Sequence, residues 1–173
     1  MHLFTGNVSL PRAAYLAVGG FDLTLRRSED VELGIRLEKA GLTFEFCDEA
    51  STVHSSDHAS QARWLETALI YGIYDSRIAR KHQERAVSPW RRLLEANLLA
   101  KPFLLLSVVT PHTAGYVVRA AVAVVNRIDR AGHQRLAVTG LTVAFTMQYF
   151  RGVRREAGSL RHVITDLRRY VLA

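Results

Sequence analysis

The hydrophobic pattern changes period near residue 61, and that change limits the folds open to the chain. From Gln61 onward, apolar residues recur at the three- and four-residue spacing of helices. "ARWLETALIYGIYDSRIARKH" (Ala62–His82), "HTAGYVVRAAVAVVNRI" (His112–Ile128), "RLAVTGLTVAFTMQYFRGVRR" (Arg135–Arg155) and "LRHVITDLRRYVL" (Leu160–Leu172) each read as a helix. In the last, Leu160, Val163, Ile164, Leu167 and Val171 share one face, while Arg161, Arg168 and Arg169 lie away from it. Pro89, Pro102 and Pro111 punctuate the segments between, because proline removes an amide hydrogen and clashes inside a helix.

Before residue 61 the segments are short and differently spaced. "LFTGNVSL" (Leu3–Leu10), which carries Asn7 and Ser9, predicts a strand closed by Pro11, where a helix can begin. "RAAYLAVG" (Arg12–Gly19) predicts one or two helical turns stopped by Gly19-Gly20. Ser28 can cap the next helix, and Glu29, Asp30 and Glu32 suit the positive end of its dipole. Leu33, Arg36, Leu37 and Ala40 continue it, and Gly41 ends it. "LTFEFCD" (Leu42–Asp48) alternates Leu42, Phe44 and Phe46 against Thr43, Glu45 and Cys47, which predicts a strand with one buried face. Ser51–Ser60 is a polar connection carrying His54 and His58. The expected fold is therefore α/β with few strands, followed by a mostly α-helical region.

Charge divides the chain at about the same place. Residues 1–60 hold five Lys/Arg and nine Asp/Glu, net −4, and residues 61–173 hold eighteen and seven, net +11. Such asymmetry suggests different partners: a cation or hydroxylic substrate for the acidic part, and an anionic surface for the basic part. The bland alternative is a basic tail that only keeps the chain soluble. The longest run without Asp, Glu, Lys or Arg, Pro102–Val118, contains Pro111 and His112, and the next, Leu136–Phe150, has fifteen residues. Fifteen residues make roughly 22 Å of helix against a hydrocarbon core of about 30 Å, so no crossing is expected. Helices lying at a membrane surface, with Trp64, Trp90, Tyr149 and Tyr170 as anchors, fit the pattern better, and a soluble helical bundle is the competing reading. No nucleic-acid recognition motif is present, and helices rich in Val, Leu and Ala suit lipid or protein contacts. The lone Cys47 excludes an internal disulfide and fits a reducing compartment. "MHLFTGNVSLPR" lacks a basic segment followed by an apolar run, so a cytoplasmic location is expected, at the inner face of the membrane.

Five elements then occur in order within fifty residues: "GNVSLPR" (Gly6–Arg12), "VGGFD" (Val18–Asp22), "EDVELGIRL" (Glu29–Leu37), "AG" (Ala40-Gly41) and "A-x-x-V-H" (Ala50–His54). In identity and spacing, Thr5–His54 resembles the C-terminal half of the catalytic domain of family-2-type glycosyltransferases, which have the GT-A fold. The resemblance implies an inverting transfer of a sugar from a nucleotide-sugar donor to a hydroxyl acceptor, a glycan or a lipid-linked molecule. It implies Asp30 as catalytic base, taking the hydroxyl proton as the new bond forms, with Glu29 beside it. It places Gly19, Gly20, Asp22 and Glu32 at the acceptor, with Trp64 available to stack on a sugar ring. It makes His54, or His58 four residues on, a ligand of a divalent Mn²⁺ or Mg²⁺ that holds the donor diphosphate. Residues 1–85 would then be an incomplete GT-A-like domain, the acceptor-side half, and residues 86–173 a basic, apolar helical tail. Taken without the resemblance, the acids are a favourable helix start, the histidines structural, the glycines a plain turn and Trp64 a core residue.

The chain departs from the family pattern in one respect. It contains no Asp-x-Asp, and only a few residues precede the Gly-Asn-Val-Ser segment, so the half that grips the nucleotide is missing. The resemblance therefore implies a fragment, with Met1 an internal start or a truncated reading, and with negligible transferase activity alone. The alternative is a noncatalytic membrane-surface or interaction protein derived from a transferase remnant, in which Asp30 and His54 are replaceable.

Overall fold

The computed structural model describes residues 3–53, 60–83 and 88–172. Its helices are α1 (Arg12–Ala17), α2 (Glu29–Lys39), α3 (Gln61–His82), α4 (Pro89–Glu95), α5 (Lys101–Val109), α6 (Pro111–Arg130), α7 (Gln134–Ala157) and α8 (Leu160–Leu172). They fall into two compact units, Met1–Asp57 and His58–Ala173.

Among the described residues there is no β-strand, so the expected α/β, GT-A-like domain is replaced by an all-α arrangement. Leu3–Leu10 and Leu42–Asp48 run as irregular chain and turn. A strand must place its amides and carbonyls in a ladder, and two short strands alone are marginal in water. In Leu42–Asp48 the start of the alternation nevertheless reports which side chains turn inward. Leu10, Leu42 and Phe44 pack on a small core of Leu3, Leu33 and Leu37, whereas Phe46, the next in the alternation, is 81% exposed. Leu3 lies directly over α2, where a Cβ on Gly34 would sit 2.8 Å from the Leu3 Cβ.

Glycines end α1 and α2 in the same way. Gly20 N–H bonds the Tyr15 carbonyl at 2.9 Å and Gly19 N–H the Leu16 carbonyl at 3.0 Å. Leu42 N–H and Gly41 N–H repeat the pair on Leu37 and Glu38, at 3.1 and 3.0 Å. These bonds satisfy last-turn carbonyls that would otherwise lack partners, and they need a left-handed residue, which glycine adopts without strain.

In the second unit α7 is central, packed against α3, α5, α6 and α8. Helix α3 runs in the same direction as α7: Trp64 meets Phe145 at one end and Arg77 meets Glu156 at the other. Between these contacts the backbones touch. A Cβ on Gly72 would lie 1.9 Å from the Tyr149 carbonyl oxygen, and one on Gly152 would lie 2.0 Å from that of Leu69. Helix α6 runs antiparallel to α7, with Val125 against Gly140 and the Pro111 carbonyl accepting from Arg151 Nε at 2.7 Å. Leu104, Met147, Tyr149 and Phe150 are fully buried, each such side chain stabilising by about 1.5–3 kcal/mol relative to exposure. Ser60 and Ser88 cap α3 and α4 through their side chains, and Pro89, Pro102 and Pro111 all sit in first turns, where no amide bond is lost. No helix among the described residues is long and apolar enough to cross a membrane.

Candidate functional site

The acidic start of α2 is reached through an unusual residue. Ser28 has φ 57 and ψ 20, the left-handed region, and its side chain does not cap the helix as the sequence suggested. A non-glycine residue held there carries local strain, and Ser28 immediately precedes Glu29-Asp30. Asp30 is half-buried, and its carboxylate is fixed by two backbone donors. Thr5 N–H reaches Oδ2 at 3.3 Å, and Val31 N–H reaches Oδ1 at 2.8 Å. The carboxylate thus belongs both to the first turn of α2 and to the irregular segment crossing it.

Glu32 has a different place. It is fully buried, and Arg36, one turn on, grips it through Nε at 3.0 Å to both oxygens and Nη2 at 2.7 Å. The same guanidinium donates to the carbonyls of Val18 and Gly20. Arg36 is therefore a strut that ties the glycine turn after α1 to the body of α2. Gly20 is also closed in from the other side, since a Cβ there would lie 2.9 Å from the Tyr15 ring. Past the turn, Phe21 N–H donates to the Tyr15 hydroxyl at 3.3 Å. Asp22 Oδ1 then accepts from Thr24 N–H at 2.9 Å and from the Thr24 hydroxyl at 2.6 Å, a side-chain-stabilised turn.

The structure thus holds Gly19, Gly20, Asp22, Glu29, Asp30 and Glu32 in one unit, and Arg36 joins Gly20 to Glu32. Trp64 belongs to the other unit, half-buried in the helical bundle, with its ring centroid 4.3 Å from that of Phe145. His54 and His58 lie outside the described residues. Among the described residues there is no group of three or more His, Cys, Asp or Glu that could hold a metal ion.

No family model matches the chain, and neither does any curated protein or solved structure. An ionised carboxylate only accepts hydrogen bonds. The Asp30 carboxylate is held by one regular element and one crossing segment. The turns beside it expose Phe21, 36% accessible, and Leu23, 94% accessible, and the segment that bonds Asp30 exposes Phe4, 71% accessible. Arg36 and Thr5 were missed as site residues. The Glu32-x-x-x-Arg36 spacing marks a helical pair but not its burial, and a bond from the Thr5 backbone has no sequence signature.

Proposed function

We propose that the first unit carries the acceptor side of an inverting sugar-transfer site, with Asp30 as its general base. The reading rests on the ordered motifs of Thr5–His54, and the observation that supports it is the double anchoring of the Asp30 carboxylate at the start of α2. In the reaction, an acceptor hydroxyl of a glycan or lipid-linked molecule attacks the anomeric carbon of a nucleotide sugar. Its proton passes to Asp30, and the bond to the nucleoside diphosphate breaks on the opposite face. Gly19-Gly20, held by Arg36, offers backbone close to the acceptor, and Glu29 borders it. Glu32 supports the site through Arg36. The donor is gripped by polypeptide other than the described residues.

The test uses the protein as its source cell makes it, assayed for nucleoside diphosphate release with a panel of nucleotide sugars and simple glycan acceptors. Asp30→Asn should lower kcat by about 10²–10⁴-fold with unchanged donor affinity and unchanged circular dichroism. Full activity in this variant, or no transfer by the native protein across the panel, overturns the reading.

A further inference from the structure

Helix α8 covers only part of its apolar face. Val163 is buried against the bundle, and Leu167 and Tyr170 are half-covered by it. Leu160, Ile164 and Val171 stay 39%, 49% and 57% exposed, and Leu172 is 85% exposed. At 100° per residue, Leu160, Val171 and Ile164 fall within about 40° of one another, and Arg168 and Arg161 follow within about 60° beyond Ile164. The one acid of α8, Asp166, lies on another side, 3.5 Å from Arg80 of α3. Arg161, Arg168 and Arg169 are exposed, and none of them forms an ion pair among the described residues.

We propose that this edge of α8 docks on an anionic lipid surface, with Leu160, Ile164 and Val171 entering the headgroup boundary and Arg161 and Arg168 meeting lipid phosphates. The surface stands independently of the transfer reading, since it lies in the other unit and uses none of its residues. The charge pattern selects the occupant. A second copy of the edge would bring arginine against arginine. A nucleic-acid duplex would satisfy the arginines but leave the apolar strip against phosphate and water. An interfacial lipid layer takes both, because arginine stems lie along the acyl boundary while their heads stay with the phosphates.

The test is cosedimentation of the 173-residue chain with phosphatidylcholine vesicles, with and without phosphatidylglycerol, at low and high salt. The expected result is binding only to vesicles containing phosphatidylglycerol, weakened by salt. Two variants separate the contributions: Arg161→Gln with Arg168→Gln, and Ile164→Ser with Val171→Ser. Every replaced side chain is exposed, so the helix should persist by circular dichroism while each variant binds about tenfold more weakly. Failure of the wild-type chain to bind the anionic vesicles overturns the proposal, as does unchanged binding by either variant. Self-association through α8, or binding to random duplex DNA, in place of vesicle binding would assign the edge to another partner and overturn it equally.

Discussion

Glu32 and Arg36 stand one helical turn apart, a spacing worth a few tenths of a kcal/mol when the pair is solvated. Burial changes that value, because Glu32 has no exposed surface and its charge is balanced by a guanidinium 19% exposed at 2.7 Å. Removing one member of a buried pair leaves an uncompensated charge. Arg36→Met is therefore expected to destabilise the first unit by about 3–5 kcal/mol, enough to raise amide exchange throughout 29–39. Adding Glu32→Gln should restore part of that protection, and unchanged exchange in the single variant would show that the strut bears little of the fold. Sequence alone marked the acids of this helix start but assigned them similar surroundings. Glu29 and Asp30 sit half-buried at the start of the helix, whereas Glu32, two residues on from Asp30, is fully buried against Arg36. Helical spacing gives that direction only once the buried face is known, and Arg36 interrupts the apolar pattern that would have revealed it.

Helices α3, α6, α7 and α8 were legible from their apolar spacing, whereas α4 and α5 were not, because Pro89 and Pro102 read as punctuation and in fact sit in their first turns. The first unit was also less legible. Leu42 and Phe44 do turn inward as strand alternation suggests, yet alternation reports facing and not pairing, and no ladder forms in the described residues. Nor did periodicity reveal the α3–α7 crossing, since a glycine within a helix ordinarily reads as a weak point. Here Gly72 and Gly152 set the distance between helices. Gly72→Ala places a methyl 1.9 Å from the Tyr149 carbonyl oxygen, and the backbones can accommodate it only by parting. The expected cost is at least about 3 kcal/mol, read as a lower urea midpoint. Gly140→Ala makes the comparison, because its new methyl meets only the Val125 side chain, 2.6 Å from Cγ2. That chain can shift, and the gain in helix propensity offsets the crowding, so a change within about 1 kcal/mol is expected. Equal costs for the two would remove the backbone contact as the cause.

Across the whole molecule, the second unit is joined by polar contacts as well as by its apolar core. The Tyr149 hydroxyl of α7 donates to Asp75 of α3 at 2.9 Å, and Arg92 of α4 lies over the Tyr149 ring at 4.8 Å. Burial first, and then the Asp75 charge, push the Tyr149 phenol well above its ordinary 10.0. In the unfolded chain the same phenol ionises near 10, so between the two values the folded state holds the extra proton. Its contribution is therefore complete below about pH 10 and is lost as pH rises beyond it. Tyr149→Phe should cost about 1 kcal/mol at neutral pH through the lost hydrogen bond, and it should flatten the alkaline decline of the urea midpoint. A decline of the same slope in both proteins would place its origin elsewhere. The contact between Gly72 and Gly152 has a further consequence, for descent. At most buried positions a lineage can trade one side chain for another and let a neighbour compensate. Where main chain rests on main chain there is no neighbour to adjust, so a descendant that keeps this crossing inherits both glycines together or not at all.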